Sequence, residues 1–268
     1  MDVEAYLQRI GYAGPREPSH AVLGELVLRH ALSIPFENLD PYLARGVSLE
    51  PAQVERKLVA QRRGGWCFEH NLLLGEVLRA LGFAVTDLAG RVLWGRPPDA
   101  ITARTHRLLL VRAGGREWLA DAGFGGHTLT GVLDLHSELA QETPHEPFRL
   151  RPIGGGERVL ESLVAGEWRA LFRFDLHPQL PIDFEAANFQ LVHDPASHFT
   201  QGLIATRVAP DGRHVLRGRE LAFHRLGGDT TRRELTNEAT VAALGEVFGI
   251  AVDAPLRELL RRRLEPAR

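Results

Sequence analysis

Thr105-His106-Arg107-Leu108-Leu109-Leu110-Val111-Arg112-Ala113-Gly114-Gly115-Arg116-Glu117-Trp118-Leu119-Ala120-Asp121-Ala122-Gly123 reads as two apolar runs joined by a glycine pair. A Gly-Gly dipeptide in that position is a two-residue hairpin turn, because both of its central residues take positive φ. Folding about it pairs Arg112 with Glu117, Leu110 with Leu119, Leu108 with Asp121 and His106 with Gly123. Opposed charges and matched leucines make that register self-consistent. His106 and Asp121 become diagonal neighbours on one face, about 7–8 Å apart at the backbone and within side-chain reach. A one-residue slip would send them to opposite faces. The hairpin therefore predicts an antiparallel sheet and an imidazole–carboxylate pair together.

Upstream of the hairpin the periodicity is helical. Val3, Tyr6, Leu7 and Ile10 recur at helical intervals, as do Val22, Leu23, Leu26 and Val27 in the stretch 19–32, which Pro35 stops. Pro51 opens a third helix where its missing N–H costs little. A fourth begins near Cys67 and runs to Gly82, a residue suited to a left-handed cap. From about residue 86 short runs take over, at 89–94, 105–112, 117–122, 148–152, 158–165 and 167–174, separated by glycine and proline. Such spacing favours antiparallel strands. Residues 175–195, with three prolines, read as a connection. Strands at 202–209 and on to 216 follow, with a turn at Asp211-Gly212, then helices near 237–248 and 255–264. The expected fold class is α+β: a helical bundle (1–85), an antiparallel β-barrel (86–190) and an α/β lid (191–268).

The chain has 268 residues and one cysteine, Cys67. One cysteine excludes an intramolecular disulfide and thiolate-rich zinc sites. Free cysteine is most often a small buried hydrophobe, but the neighbours here argue for chemistry. Arg63-Gly64-Gly65-Trp66-Cys67 turns sharply into the fourth helix, which puts the sulfur in the first turn, where unpaired N–H groups and the helix dipole favour a thiolate. The same N–H groups suit an oxyanion. A cysteine nucleophile needs a histidine base. Of 12 histidines, His106 is the one with a carboxylate placed to orient it; His70, three residues beyond Cys67, reads as a surface residue or core contact. The bland alternative for His106 and Asp121 is a buried histidine satisfied by a carboxylate.

Composition restricts the partners. A 44% apolar and 25% charged chain with net charge −2 has no electrostatic claim on nucleic acid or membranes. The acidic N-terminus lacks the features of a signal peptide, and no run nears the roughly 18 apolar residues of a membrane span. A free thiol suits a reducing compartment, so a soluble cytoplasmic protein is expected. His193 and His198 lack a third ligand, and no His-Glu-x-x-His motif occurs, so no metal is expected.

These residues resemble the arylamine N-acetyltransferases. The resemblance rests on Arg63-Gly64-Gly65-x-Cys67-x-Glu69-x-Asn71, Thr105-His106, Asp121-Ala122-Gly123-Phe124-Gly125, Pro35-Phe36-Glu37-Asn38-Leu39 and Trp94 in Arg91-Val92-Leu93-Trp94-Gly95. It covers the first half strongly; the second half is anchored by Ser197-x-Phe199-Thr200. It implies the bundle, barrel and lid, a core similar to the cysteine proteinases, and Cys67, His106 and Asp121 as catalytic residues. It further implies acetyl-CoA as co-substrate, no bound cofactor, and an arylamine, hydrazine or arylhydroxylamine as acceptor. Phe36, Phe124 and Phe199 would line the acceptor pocket, and Trp94, Thr105, Gly125 and Gly126 the channel for CoA. Arg63 with Glu37 and Glu69 reads as a structural charge cluster. Arginines 207, 213, 217, 219, 225, 232 and 233 are open either to CoA phosphates or to a solvated basic face. The alternatives are a related enzyme using another acyl-CoA, closing an intramolecular amide or hydrolysing amides, and a thiol sensor, which would need no oriented base.

Overall fold

The computed structural model describes residues 1–97 and 99–265; the last three residues of the expected lid lie outside them. Helices α1 (Val3–Arg9), α2 (His20–Ser33), α3 (Leu39–Tyr42), α4 (Pro51–Glu55) and α5 (Cys67–Ala80) make the N-terminal part. Ser19 caps α2 by accepting from the Val22 N–H, as short hydroxyl side chains do at helix starts. The α2 residues Val22, Leu23, Leu26 and Val27 are all buried. Helix α5 is enclosed nearly all round, which its run of Leu72, Leu73, Leu74, Val77 and Leu78 permits. Gly82 ends it at φ +88°. The segment is not purely helical: β1 (Phe36–Glu37) leaves the bundle and pairs with a strand far along the chain.

Strands β2 (Ala84–Val92), β3 (Arg104–Ala113), β4 (Arg116–Ala120), β5 (Leu133–Asp134), β6 (Phe148–Gly154), β7 (Glu157–Val164) and β8 (Glu167–Phe174) form one antiparallel sheet in the order β5-β4-β3-β2-β8-β7-β6. Gln141 brings its two edges together. Its backbone exchanges hydrogen bonds with Phe148 of β6 at 2.7 and 3.0 Å. Its side chain bonds the Asp134 N–H and C=O of β5 at 2.7 and 3.0 Å. The sheet thus curls into a nearly closed barrel filled by Leu108, Leu119, Leu133, Phe148, Leu160 and Phe172.

The predicted hairpin is present. Arg112 opposes Glu117 and Leu110 opposes Leu119, about Gly114 and Gly115 at φ +59° and +74°. The ladder stops at Leu109 and Ala120, so Asp121 and Gly123 lie beyond it. On the other flank, β2 pairs Gly90 with His106 and then Arg91 with Arg104, leaving Thr105 as a bulge. Bulges at a sheet end re-aim the chain, and this one turns residue 105 toward α5.

Residues 175–195 are not a bare connection. They contain helix α6 (Pro181–His193), opened by Pro181 and by Asp183, which accepts from the Leu180 N–H at 2.7 Å. The proline at its first position is compatible with a helix start, and the three-proline count conceals this. Past the short helix α7 (His198–Gln201), strands β9 (Ile204–Ala209), β10 (Gly212–Arg217), β11 (Glu220–Arg225) and β12 (Thr230–Glu234) follow. They join β1 in a second sheet, ordered β1-β9-β10-β11-β12. The last two strands escape a pattern reading because β12 (Thr-Thr-Arg-Arg-Glu) is an exposed polar edge with no alternation. Helices α8 (Asn237–Glu246) and α9 (Ala254–Leu264) cover this sheet with Val241, Leu244, Leu256 and Leu260. No helix among the described residues is long and apolar enough to cross a membrane.

Candidate active site

Cys67 is the first residue of α5. Two glycines bring it there: a Cβ on Gly64 would lie 2.1 Å from the Pro35 carbonyl oxygen, so only glycine allows β1 to cross the cysteine loop so closely. The crossing is hydrogen-bonded, Glu37 N–H to Gly65 O at 2.8 Å and Gly65 N–H to Pro35 O at 3.3 Å. Glu69 accepts from the Trp66 N–H at 3.1 Å, the acidic third residue of a capping box closing the turn. The N–H groups of the first turn, unpaired within the helix, lie at the end where Cys67 sits.

The carbonyl oxygen of Thr105, freed by the bulge, lies 3.5 Å from the Cys67 Sγ. His106 follows on β3, and its Nε2 bonds Asp121 Oδ2 at 2.6 Å. That leaves Nδ1 for the sulfur. Ring and carboxylate are both out of water, His106 2% exposed and Asp121 0%. Burial by itself opposes a charged imidazole. The Asp121 carboxylate overrides it by charge and hydrogen bond, with help from Cys67, and pushes the His106 pKa up to about 10. A histidine so placed holds its proton at neutral pH. Phe124 meets the imidazole edge-on at 5.1 Å and Phe172 packs on it at 4.7 Å.

Asn71, quoted only as part of a motif above, completes the arrangement. One turn along α5 from Cys67, it donates to Asp121 Oδ1 at 2.8 Å and accepts from the Ala122 N–H at 3.0 Å. The Gly123 N–H also donates to Asp121 Oδ1, at 2.9 Å. A Cβ on Gly123 would stand 2.8 Å from the Cys67 Cα. Its spacing of four from Cys67 was the available signal.

The aromatic residues divide into two groups. Phe36 and Phe199 meet at 6.1 Å, with Trp66 edge-on to Phe199 at 5.3 Å; Gly125 lies against the Phe36 ring. Phe124 stands apart, on the imidazole and Phe172. Trp94 packs against His127 at 4.1 Å with the rings tilted by 46°, beside Gly126 on the same glycine loop. That loop is anchored by Thr128, which donates to the Asp121 carbonyl at 3.1 Å.

The charge cluster differs from expectation. Arg63 bonds Glu37 at 2.6 Å and reaches Asp40 at 3.4 Å, whereas Glu69 is bonded by Lys57 at 2.8 Å. Lys57 also pairs with Asp40 at 2.7 Å and so joins the two halves. Glu69 is turned away because its other oxygen caps Trp66. His70 is buried, not a surface residue. Among the seven arginines left open, Arg213 is buried and spent on Glu146 and the Thr128 carbonyl. Arg207 donates to the Val247 carbonyl, and Arg219, Arg225 and Arg232 pair with Glu234, Asp211 and Glu220. The exposed pairs favour the solvated-face reading for Arg219, Arg225 and Arg232.

With this geometry in hand, the likenesses are specific. A family profile described as N-acetyltransferase matches residues 20–257. The arylamine N-acetyltransferase of Mycolicibacterium smegmatis is 43% identical over 254 residues, covering 93% of this chain and 92% of that protein. That of Escherichia coli K12 is 42% identical over 250 residues, 92% of this chain and 88% of its own. The structure of Mycobacterium marinum arylamine N-acetyltransferase superposes with a TM-score of 0.94 at 43% identity, over 98% of both chains. The same enzyme in complex with CoA gives 0.93, again over 98% of each. Sequence and fold agree along almost the whole length, and the chain belongs to the arylamine N-acetyltransferase family.

Proposed function

We propose that this protein moves an acetyl group from acetyl-CoA to an arylamine, hydrazine or arylhydroxylamine through a thioester on Cys67, in two half-reactions. The observation that carries the reading is the Asp121–His106 bond at 2.6 Å, with the free imidazole nitrogen left to the one cysteine of the chain.

In the first half, the Cys67 thiolate attacks the thioester carbonyl of acetyl-CoA. The C–S bond to CoA breaks, and the departing sulfur takes the proton from His106, leaving a neutral imidazole beside acetyl-Cys67. In the second half, the acceptor nitrogen attacks the acetyl carbonyl with its lone pair. His106 takes the proton that nitrogen sheds, and the Cys67 thiolate leaves, restoring the starting ion pair. Asp121 keeps the imidazole in one orientation throughout. The first-turn N–H groups of α5 face the developing oxyanion.

Phe36 and Phe199 serve as walls for a flat acceptor, and Phe124 supports the imidazole face of the same pocket. Trp94, Thr105, Gly125 and Gly126 border the pantetheine channel, where the glycines let a thiol arm pass close to the backbone. The fit of donor and acceptor to one sulfur supports a cytoplasmic enzyme of aromatic-amine and xenobiotic metabolism, where CoA thioesters and reduced thiols coexist.

The test is intact mass spectrometry after mixing with acetyl-CoA and no acceptor. One acetyl adduct, absent in Cys67→Ala and discharged by an arylamine, is expected. Absence of the adduct in the wild-type protein overturns the reading.

A further inference from the structure

Behind the cysteine loop, away from the triad, three polar side chains form a chain through the bundle core. The Tyr6 hydroxyl of α1 lies 2.9 Å from His30 Nδ1 of α2. His30 Nε2 lies 2.8 Å from His70 Nδ1 of α5. His70 Nε2 faces two carbonyl oxygens, Gly65 at 3.1 Å and Pro35 at 3.2 Å. All three residues are 0–1% exposed.

The carbonyls decide where every proton sits. A carbonyl oxygen can only accept, so His70 carries its proton on Nε2 and its Nδ1 is bare. His30 must then donate from Nε2, and its own Nδ1 must accept from the Tyr6 hydroxyl. One arrangement satisfies every group, with both imidazoles neutral, as their burial also favours. Removing the Tyr6 hydroxyl would leave His30 Nδ1 a buried acceptor without its partner.

The two terminal carbonyls belong to the two segments whose spacing sets the reaction site. Gly65 lies two residues before Cys67, and Pro35 directly before Phe36. These segments cross in a parallel bridge between Phe36 and Gly65. The His70 ring also runs parallel to the Phe36 ring, 7° apart in plane at 6.4 Å. Cys67 has other restraints, namely the Thr105 carbonyl and the close packing of Gly123. Phe36 sits on a two-residue strand paired on its sheet with β9 alone, and the crossing with Gly65 holds its other side.

We infer that Tyr6, His30 and His70 are positioning residues for the acceptor half of the reaction, a directed hydrogen-bond chain that holds the Phe36 wall at its working distance from Cys67. The inference rests on Phe36 being an acceptor wall. The chain touches neither substrate nor sulfur, and it acts through the Pro35 and Gly65 carbonyls.

Two measurements test it. In the wild-type protein, long-range proton–nitrogen spectra of 15N-histidine should show His30 and His70 both neutral and both protonated at Nε2, with slowly exchanging N–H signals. A His70 protonated at Nδ1, or on both nitrogens, at neutral pH overturns the chain. Kinetically, Tyr6→Phe removes one oxygen remote from the thiol. Its acylation by acetyl-CoA should stay within about twofold of wild type, while kcat/KM for aniline falls roughly tenfold, mainly through KM. Turnover of hydrazine, which has no ring to rest on the wall, should be spared. Equal losses with aniline, hydrazine and acetyl-CoA would mean a general loosening and overturn the assignment; so would unchanged aniline kinetics. Phe36→Leu separates the two layers. If it changes the aniline-to-hydrazine ratio while Tyr6→Phe does not, the hydrogen-bond chain is wrong and the wall stands. If Phe36→Leu leaves that ratio alone, the wall reading fails and the inference falls with it.

Discussion

Asn71 donates to Asp121 at 2.8 Å, so the helix that begins with Cys67 also grips the carboxylate bonded to His106. Three chain segments, 67–71, 105–106 and 121–123, are thereby tied into one unit independent of any substrate. Asn71→Ala should lower the rate of acylation by acetyl-CoA at least tenfold and destabilise the protein by about 1–3 kcal/mol, the cost of leaving buried partners unpaired. Stopped-flow acylation and denaturant titration read the two effects separately.

Asp121→Asn keeps the shape but offers the imidazole an amide, which favours the wrong tautomer. Acetyl transfer is expected to fall by about 10³–10⁴, by analogy with triads generally, while circular dichroism stays that of the native fold. Near-normal turnover would remove Asp121 from its orienting role.

Gly123→Ala places a Cβ 2.8 Å from the Cys67 Cα. Backbone must shift to admit it, so a loss of about 1–3 kcal/mol is expected, along with acylation too slow to follow on the wild-type timescale. Alanine at Gly95, where a Cβ would meet nothing, should leave acylation unchanged apart from its own backbone strain.

Stability should peak near neutrality, for two opposite reasons. The His106 pKa is raised from its ordinary 6.5 to about 10. The folded state therefore holds that proton more tightly than the unfolded chain. This contribution is complete below pH 6.5 and is lost as pH climbs to 10. His70 and His127 are lowered to about 4, chiefly by burial, and His30 is lowered for the same reason. Their contribution is complete above pH 6.5 and is lost as pH falls toward 4, where the unfolded chain takes up protons first. Melting temperatures should fall on both sides, and His106→Gln should flatten the alkaline arm between about pH 7 and 9. An unaltered alkaline arm in that variant would contradict the His106–Asp121 coupling.

Arg63→Gln breaks a buried pair with Glu37 and its contact with Asp40. A loss of about 3–5 kcal/mol is expected, because Glu37 is left buried without its partner. The fraction that remains folded should acylate at close to the wild-type rate, measured per active site by the size of the acetyl burst.

The parts legible in the chain were those whose contacts are local. The Gly114-Gly115 turn and the alternation around it set a register that the structure reproduces at Arg112–Glu117 and Leu110–Leu119. The expected ladder overran the strand at two pairs, Leu108–Asp121 and His106–Gly123. The strand ends at Ala120, and the side chains meet because the bulge at Thr105 and the loop after Ala120 both bend toward α5. Helix α6 was hidden by its prolines, and β12 by its polar composition.

By itself, the sequence determined the hairpin and the helix that starts at the cysteine; the meeting of His106 with Asp121 also needed the bulge at Thr105 and the loop beyond Ala120. Turn chemistry and helix starts depend on residues within a few positions of one another. Only the tertiary structure decided that Phe36–Glu37 is a strand, that Asn71 holds Asp121, that Arg63 chooses Asp40 over Glu69, and that His30 and His70 line up behind the cysteine loop. Each of those contacts joins segments distant in the chain, and packing of the whole core selects among partners that local preference leaves equal.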